Sequence, residues 1–338
     1  MNQNPNNDKG QTDIQTVRPL FVKNATEGSV PVVSVVIPVY NSERTIRNCV
    51  ESIVNQSLSD IEIVVVDDGS SDSSGAICDD LSVHDERIRV IHQPNRGRTA
   101  ARAEGTRCAS GIWVCYVDSD DTMPFDALSC LYSAASDQVD IVLGDAASLP
   151  AENRTLIPMS DFRHLAVRAE GSIGVPWGSL YRRSVLTDYM FDLPREIMMG
   201  EDYIFWLRLC FTTERPVSTL YKNVYIKGED HTSSSFVWTS DYCYKINEYR
   251  KEAIPAEMHD EFMADMISDR LVNLFILMIC QPGHEWRHHR FYLDIKEDLA
   301  RYNIHLPFKK RLYMHLPGRC LRKLYSRVSN LIYRIRRS

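Results

Sequence analysis

Short apolar runs alternating with helical patterns constrain this chain more than any other feature. The runs are Val32-Val33-Ser34-Val35-Val36-Ile37, Ile61-Glu62-Ile63-Val64-Val65-Val66, Arg87-Ile88-Arg89-Val90-Ile91 and Ile112-Trp113-Val114-Cys115-Tyr116-Val117. β-Branched residues dominate the first two, and such runs read as strands buried on both faces. Pro38 is expected to end the first. Between the first two runs, Ile46, Cys49, Val50, Ile53 and Val54 fall at helical spacing, with Asn41 or Ser42 as the expected cap. Ser70–His84, Gly97–Ala109 and Pro124–Ser136 read as further helices, and Val139–Leu143 as a further strand. Strand–helix alternation implies an α/β fold with a mainly parallel sheet and right-handed crossovers. Open sheets of this kind bind ligands outside the carboxyl ends of their strands.

The fourth run ends in Asp118-Ser119-Asp120-Asp121. Residues two apart in extended backbone point the same way, so Asp118 and Asp120 can face one point with Ser119 turned away. Like charges that close need a positive neutraliser. A divalent hard cation is one, and Mg²⁺ is typically held by one or two carboxylates plus substrate phosphates. A solvated acidic turn before the Pro124 helix is the plainer reading of the same residues. The second run ends in Asp67-Asp68, which can accept hydrogen bonds from a base edge or a sugar hydroxyl, or can simply shape an Asx turn. Arg98 and Arg102 flank the start of the third helix, and Arg suits bidentate phosphate contact. A dinucleotide-binding domain is excluded as a motif match. The first turn is Pro38-Val39-Tyr40-Asn41 rather than G-x-G-x-x-G, and no G-x-x-x-x-G-K-[ST] occurs.

Residues 145–200 are less regular. Glu201–Phe211 looks helical and Leu220–Ile226 looks like a strand. From about Ser240 the chain turns helical, with Ala256–Cys280 and Glu285–Tyr302 separated by Gln281-Pro282-Gly283. Residues 1–30 are polar and are expected to be disordered.

Val35-Val36-Ile37-Pro38-Val39-Tyr40-Asn41, Val65-Val66-Asp67-Asp68-Gly69-Ser70-Ser71-Asp72, Asn95-Arg96-Gly97-Arg98-Thr99-Ala100-Ala101-Arg102 and Val117-Asp118-Ser119-Asp120-Asp121 stand in this order. The ordered set resembles the family 2 glycosyltransferases of bacterial cell-surface polysaccharide synthesis. Trp177-Gly178-Ser179-Leu180-Tyr181-Arg182-Arg183 and Gly200-Glu201-Asp202 resemble that family's acceptor-side segments, so the resemblance covers roughly residues 32–235. It implies a GT-A, Rossmann-like fold with a mixed, mainly parallel sheet flanked by helices. The implied organisation is a GT-A domain over 31–238, with a nucleotide-sugar half at 31–145 and an acceptor half at 146–238. A helical C-terminal region follows at 239–305, then a tail at 306–338.

The same resemblance implies residue roles. Asp68 would bind the uracil or ribose of a UDP-sugar, with Pro38 and Tyr40 lining the base pocket and Arg102 near the nucleotide. Asp118 and Asp120 would form the D-x-D pair, with Ser119 on the donor side, contacting ribose and an Mn²⁺ or Mg²⁺ diphosphate. His231 would close over the diphosphate or the metal, and Trp177 and Glu201 would face the acceptor. Asp202 would be the general base of an inverting hexosyl or N-acetylhexosaminyl transfer to a glycan or lipid-linked glycan. Ala103 departs from the Asn that many relatives carry there.

Two stretches stand outside that set. His284-Glu285-Trp286-Arg287-His288 matches H-E-x-x-H, which on an α-helix would face both His to one zinc ion. A metallohydrolase is therefore one alternative, and a non-catalytic sugar-nucleotide-binding relative is another. The last stretch, 303–338, carries ten Lys or Arg and no Asp or Glu, leaving 29 basic against 45 acidic residues elsewhere. An acidic body is a poor nucleic-acid binder. After Pro317-Gly318, Leu321, Leu324, Tyr325, Val328, Leu331, Ile332 and Ile335 repeat at spacings of three and four among the basic residues. That pattern makes 318–338 a basic amphipathic helix for an anionic membrane surface, or one that packs on the folded body. Nine cysteines without C-x-x-C pairs suggest reduced thiols. The expectation is a cytoplasmic protein, peripheral on the inner face of the cell membrane.

Overall fold

The computed structural model describes residues 30–144, 155–169, 173–228, 236–280 and 285–306. The expectations for residues 1–29, His231, His284 and 307–338 lie outside the described residues.

The first half is the expected alternation. β1 (Val33–Val39), α1 (Ile46–Val54), β2 (Ile61–Asp67), α2 (Ser74–His84), β3 (Ile88–His92), α3 (Arg98–Cys108), β4 (Trp113–Tyr116), α4 (Ala127–Ser133) and β5 (Ile141–Leu143) follow in order. The second half adds β6 (Leu156–Ile157), α5 (Met159–Val167), β7 (Ser179–Arg182), α6 (Glu201–Cys210), β8 (Val217–Thr219), α7 (Ser240–Glu252), α8 (His259–Cys280) and α9 (Arg290–Arg301). The described strands form one sheet in the order β3-β2-β1-β4-β7-β5-β8-β6. β1 pairs in parallel with β2 and β4, whereas β7 runs antiparallel between β4 and β5. The sheet is thus mixed and mainly parallel, with helices on both faces.

Alternation along β1 explains why it is buried throughout. Val35 and Ile37 join the core that holds Ile46, Cys49 and Ile53 of α1 and Leu128 and Leu131 of α4. Val36 points the other way, into the core shared by Ala101 of α3, Phe162 of α5 and Trp206 of α6. Each strand side chain therefore has a buried destination. The crossovers leave β1 toward β2 and β3 on one side and return to β4 on the other. The order reverses between β1 and β4, and the crevice beyond their carboxyl ends is the expected ligand position.

Several boundaries differ from the sequence reading. β1 runs on through Pro38 to Val39. Its pairing with β4 stops at Val36, so the donor that Pro38 lacks is not needed on that side. Neither Asn41 nor Ser42 caps α1, which starts at Ile46 after Thr45. Asn41 instead adopts φ 50° and its side chain accepts the Ser71 N–H at 2.8 Å. α2 starts at Ser74 because Ser70–Ser73 serve loop bonds: Asp67 Oδ1 accepts from Ser70 N at 3.0 Å, and Asp72 Oδ1 from Ser74 N at 2.9 Å. α4 is shorter than Pro124–Ser136 and begins at Ala127. The expected strand Leu220–Ile226 is not one; β8 occupies Val217–Thr219 instead. Asn223 Oδ1 accepts from the Tyr225 N–H at 3.1 Å, a local bond that turns the chain out of the ladder. Only the bridge between Thr122 and Ile226 remains there.

The C-terminal helices build their own core around Ile267, Leu274, Trp286, Phe291 and Ile295. They join the sheet domain through Val167, Tyr203, Leu207, Ile254, Phe262 and Met266. Among the described residues, no helix is long and apolar enough to cross a membrane.

Candidate active site

Three loops leave the carboxyl ends of β1, β2 and β4, and hydrogen bonds knit them together. Asn41 N–H donates to Ser70 Oγ at 3.0 Å, and Ser42 N–H to Ser74 Oγ at 2.7 Å. Ser42 Oγ and Ser119 Oγ are 2.7 Å apart, which ties the first loop to the acidic turn. Beyond these loops lies a cleft of about 1660 Å³. Small-molecule sites usually enclose ~300–1000 Å³. The cleft is therefore larger than one small ligand needs.

Pro38, Tyr40, Asp68, Asp118, Ser119, Asp120 and Glu201 all line this cleft. Tyr40 is half-exposed at 51%, an open aromatic face at its rim. Asp68 is buried, and its carboxylate accepts from Gln93 Nε2 at 2.7 Å, Arg96 N at 2.8 Å and Gly97 N at 2.7 Å. A carboxylate offers about four acceptor positions, so the loop before α3 takes most of them. Asp68 is thus first a loop-shaping residue, with little capacity left for a base or ribose. Next to it, Asp67 Oδ2 meets His92 Nδ1 at 2.9 Å, and His92 Nε2 meets Asp79 at 3.0 Å. Those two carboxylates push the His92 imidazole above its usual range.

α3 presents Arg98 and Arg102, one turn apart, to the first turn of α6. Arg98 pairs with Glu201. Arg102 donates through Nη1 to Asp202 Oδ1 and through Nη2 to Asp118 Oδ1, the latter at 2.7 Å. The Arg102 side chain is 4% exposed, against 17% for Asp118 and 18% for Asp202. Burial alone would favour losing the charge, but Asp202 and Asp118 reverse that and hold the guanidinium well above its ordinary value. One buried cation therefore joins a carboxylate just after β4 to one in the first turn of α6. Gly200, at φ 85°, caps α6, and Glu201 and Asp202 occupy its first turn, where the helix dipole favours negative charge. Burial and then the neighbouring Asp202 push the Glu201 carboxyl up. Glu201 lines the cleft and Asp202 does not.

The acidic turn is closed by Asp121 N–H donating to Asp118 O at 3.1 Å. Asp121 was absent from the candidates, yet it organises the turn. It accepts from Gly228 N at 2.8 Å, and Tyr225 is hydrogen-bonded both to its carboxyl and, at 3.0 Å, to the Asp118 N–H. Burial raises the Asp121 carboxyl, and Asp120 and Asp118 add to that. Trp177 stacks on Tyr225 at 4.3 Å between centroids, and Lys227 Nζ lies 4.5 Å from the Trp177 ring. Trp177 thus packs, through Tyr225, against the segment that holds the acidic turn. Tyr225 and Asp121 each adjoin a residue of the Thr122–Ile226 bridge, a pairing that only the fold brings about.

The oxygens here suit a divalent cation. Asp118 and Asp120 are hard oxygen donors lining one cleft. Among the described residues no group of three or more His, Cys, Asp or Glu is assembled to hold a metal. A carboxylate pair completed by substrate phosphates does not require one. The zinc alternative fares worse. His288 ends a 3-10 turn, Glu285–His288, rather than lying within an α-helix, so the one-face spacing argument does not apply to it.

Comparison with known proteins agrees with this architecture. Residues 34–190 match the family described as glycosyl transferase family 2. The chain is similar to glycosyltransferase GlyA of Streptococcus pneumoniae, 32% identical over 267 residues, covering 71% of this chain and 38% of GlyA. It is also similar to the putative glycosyltransferase EpsH of Bacillus subtilis, 34% identical over 195 residues, covering 54% of this chain and 56% of EpsH. The chain thus spans less than two thirds of either relative's own length. Among solved structures, S. aureus TarS 1–349 in complex with UDP aligns with a TM-score of 0.54 at 17% identity, over 81% of this chain and 93% of that one. The same TarS segment in complex with UDP-GlcNAc aligns with a TM-score of 0.54 at 19% identity. That likeness concerns the fold, a GT-A-like sheet. With the ordered loops around the cleft and the match over residues 34–190, the chain belongs to glycosyl transferase family 2.

Proposed function

We propose that this chain is an inverting glycosyltransferase that moves a sugar from a UDP-sugar to a glycan or lipid-linked glycan acceptor. The observation that carries this reading is Arg102, which holds Asp118 of the donor half and Asp202 of the acceptor half on one buried guanidinium. A UDP-linked donor is supported by the neighbouring TarS structures, which contain UDP or UDP-GlcNAc.

In this reading Tyr40 and Pro38 flank the base, and Asp118 and Ser119 lie beside the ribose and diphosphate. Asp120, with Asp118, would hold Mn²⁺ or Mg²⁺. Bound there, the cation would supply Lewis-acid stabilisation of charge on the departing diphosphate. The acceptor hydroxyl oxygen attacks the anomeric carbon as the bond to the diphosphate oxygen breaks. Its proton passes to Asp202, whose Oδ1 is oriented by Arg102. General-base assistance of this kind is worth about 10²–10⁴-fold. A second reading gives the proton to Glu201, because Glu201 lines the cleft and its carboxyl is raised. Asp202→Asn and Glu201→Gln separate the two. The variant that keeps UDP binding but loses UDP release from the donor identifies the base. Both variants releasing UDP at the wild-type rate would overturn the reading. The basic tail would keep the enzyme on the cytoplasmic side of an anionic membrane, where lipid-linked acceptors lie.

A further inference from the structure

The segment that delivers Glu201 and Asp202 is held from outside the sheet domain. Residues Arg195–Met198 form one wall of the cleft, and Met198 is 60% exposed there. Ile197 N–H is satisfied locally by Pro194 O at 2.9 Å. The next two N–H groups are not. Met198 N and Met199 N both donate to the Tyr242 hydroxyl of α7, at 3.0 and 2.9 Å, and that hydroxyl donates to Met199 O at 3.0 Å. Two acceptances and one donation satisfy a phenol fully.

Other contacts place α7 at the same point. Ile197, Ile204 of α6 and Ile246 of α7 form a buried cluster of their own. A Cβ on Gly200 would stand 2.8 Å from Ile246 Cδ1, so the turn into α6 is pressed against α7. Arg250 lies 4.4 Å over the Tyr203 ring and donates to Asp269 of α8 at 2.8 Å. The Tyr242 ring itself packs against Phe236 and Trp238.

We infer that Tyr242 is a positioning residue for the transfer. Its hydroxyl fixes residues 198–199, and hence the register at which α6 presents its first-turn carboxylates to the cleft. The helical C-terminal region is then part of the catalytic apparatus rather than an appendage. This inference rests on the proposed role of Asp202 or its neighbour Glu201.

The test compares wild type, Tyr242→Phe, Asp202→Asn, Glu201→Gln and, as a control on the same helix, Tyr249→Phe. UDP release is measured with Mn²⁺ and whichever of UDP-glucose, UDP-galactose, UDP-GlcNAc or UDP-GalNAc wild type turns over fastest. Tyr242→Phe keeps the ring and removes only the hydroxyl. Small misplacements of reacting groups can lower rates by as much as about 100-fold, so kcat is expected to fall by about 10- to 100-fold. Donor KM and the UDP dissociation constant stay near wild type, as does the Tyr249→Phe control. Hydrogen exchange at the Met198 amide is expected to speed up in Tyr242→Phe. An unchanged kcat, or a KM and UDP affinity that worsen in step with kcat, would overturn the positioning role. So would unchanged exchange at Met198. Full activity of Tyr242→Phe while Asp202→Asn or Glu201→Gln is inactive removes Tyr242 alone. Full activity of both carboxylate variants removes the general-base reading on which this one stands.

Discussion

Replacing Arg102 by Met isolates the interaction on which the site is built. The substitution keeps the buried aliphatic stem and removes the charge. At an effective dielectric of about 20, two unit charges 4 Å apart attract by about 4 kcal/mol, so each of the two ion pairs represents an attraction of that order. The gain from not burying a guanidinium offsets part of that loss. Breaking a buried pair by removing one partner nets about 3–5 kcal/mol. The lower end applies here, because Asp118 and Asp202 keep 17% and 18% of their side-chain surface exposed and can rehydrate. A loss of about 3 kcal/mol is a large share of the ~5–15 kcal/mol that holds a domain folded, so the variant is expected to fold but to unfold at clearly lower urea. Arg102→Lys should fall between, since one ammonium keeps the charge but lacks the fork that spans two carboxylates. Equilibrium urea unfolding measures the stability change, and UDP titration shows whether the proposed donor site is disturbed with it. An Arg102→Met protein within about 1 kcal/mol of wild type, binding UDP normally, would refute the reasoning.

Gly200→Ala should destabilise by about 1–2 kcal/mol, because φ 85° is left-handed backbone and the new methyl meets Ile246; thermal unfolding checks it. His92 carries a raised folded-state pKa from Asp67 and Asp79. Its contribution is therefore fully present below the unfolded value near ~6.5 and is lost as pH rises through the folded value. Urea midpoints across that window should fall with pH in wild type, and the His92-dependent part of the fall should vanish in His92→Gln. Deleting residues 318–338 should release the protein from anionic liposomes, whereas unchanged sedimentation with the vesicles would favour a helix packed on the folded body.

The first half of the sheet domain was legible because its signals are local. Each strand is a short, largely apolar run, and parallel order follows from alternation with helices. The second half was not. β7, β8 and β6 are two to four residues long, and β7 inserts antiparallel between β4 and β5, an order that no periodicity encodes. The individual charges Arg102, Asp118 and Asp202 could be picked from sequence. Their common meeting point could not, because partners 16 and 100 residues apart come together only when α3 and α6 pack. Trp177 drew attention as an aromatic beside glycines, but its stack on Tyr225 comes from a segment the sequence suggested was a strand. Asp121 was passed over as the third acid of a run, although it is the one that the Tyr225–Gly228 segment clamps. Tyr242 carries no local signal at all, since its three partners are backbone atoms of a different region.

The central claim is a metal-assisted UDP-sugar site at the ends of β1, β2 and β4. Calorimetric titration of UDP and GDP, with and without Mn²⁺, tests it most directly on wild type and an Asp118→Ala/Asp120→Ala variant. The account predicts UDP binding that Mn²⁺ strengthens, that GDP does not match, and that the double variant loses. UDP binding of equal strength in the variant, or none by wild type under any of these conditions, would contradict it.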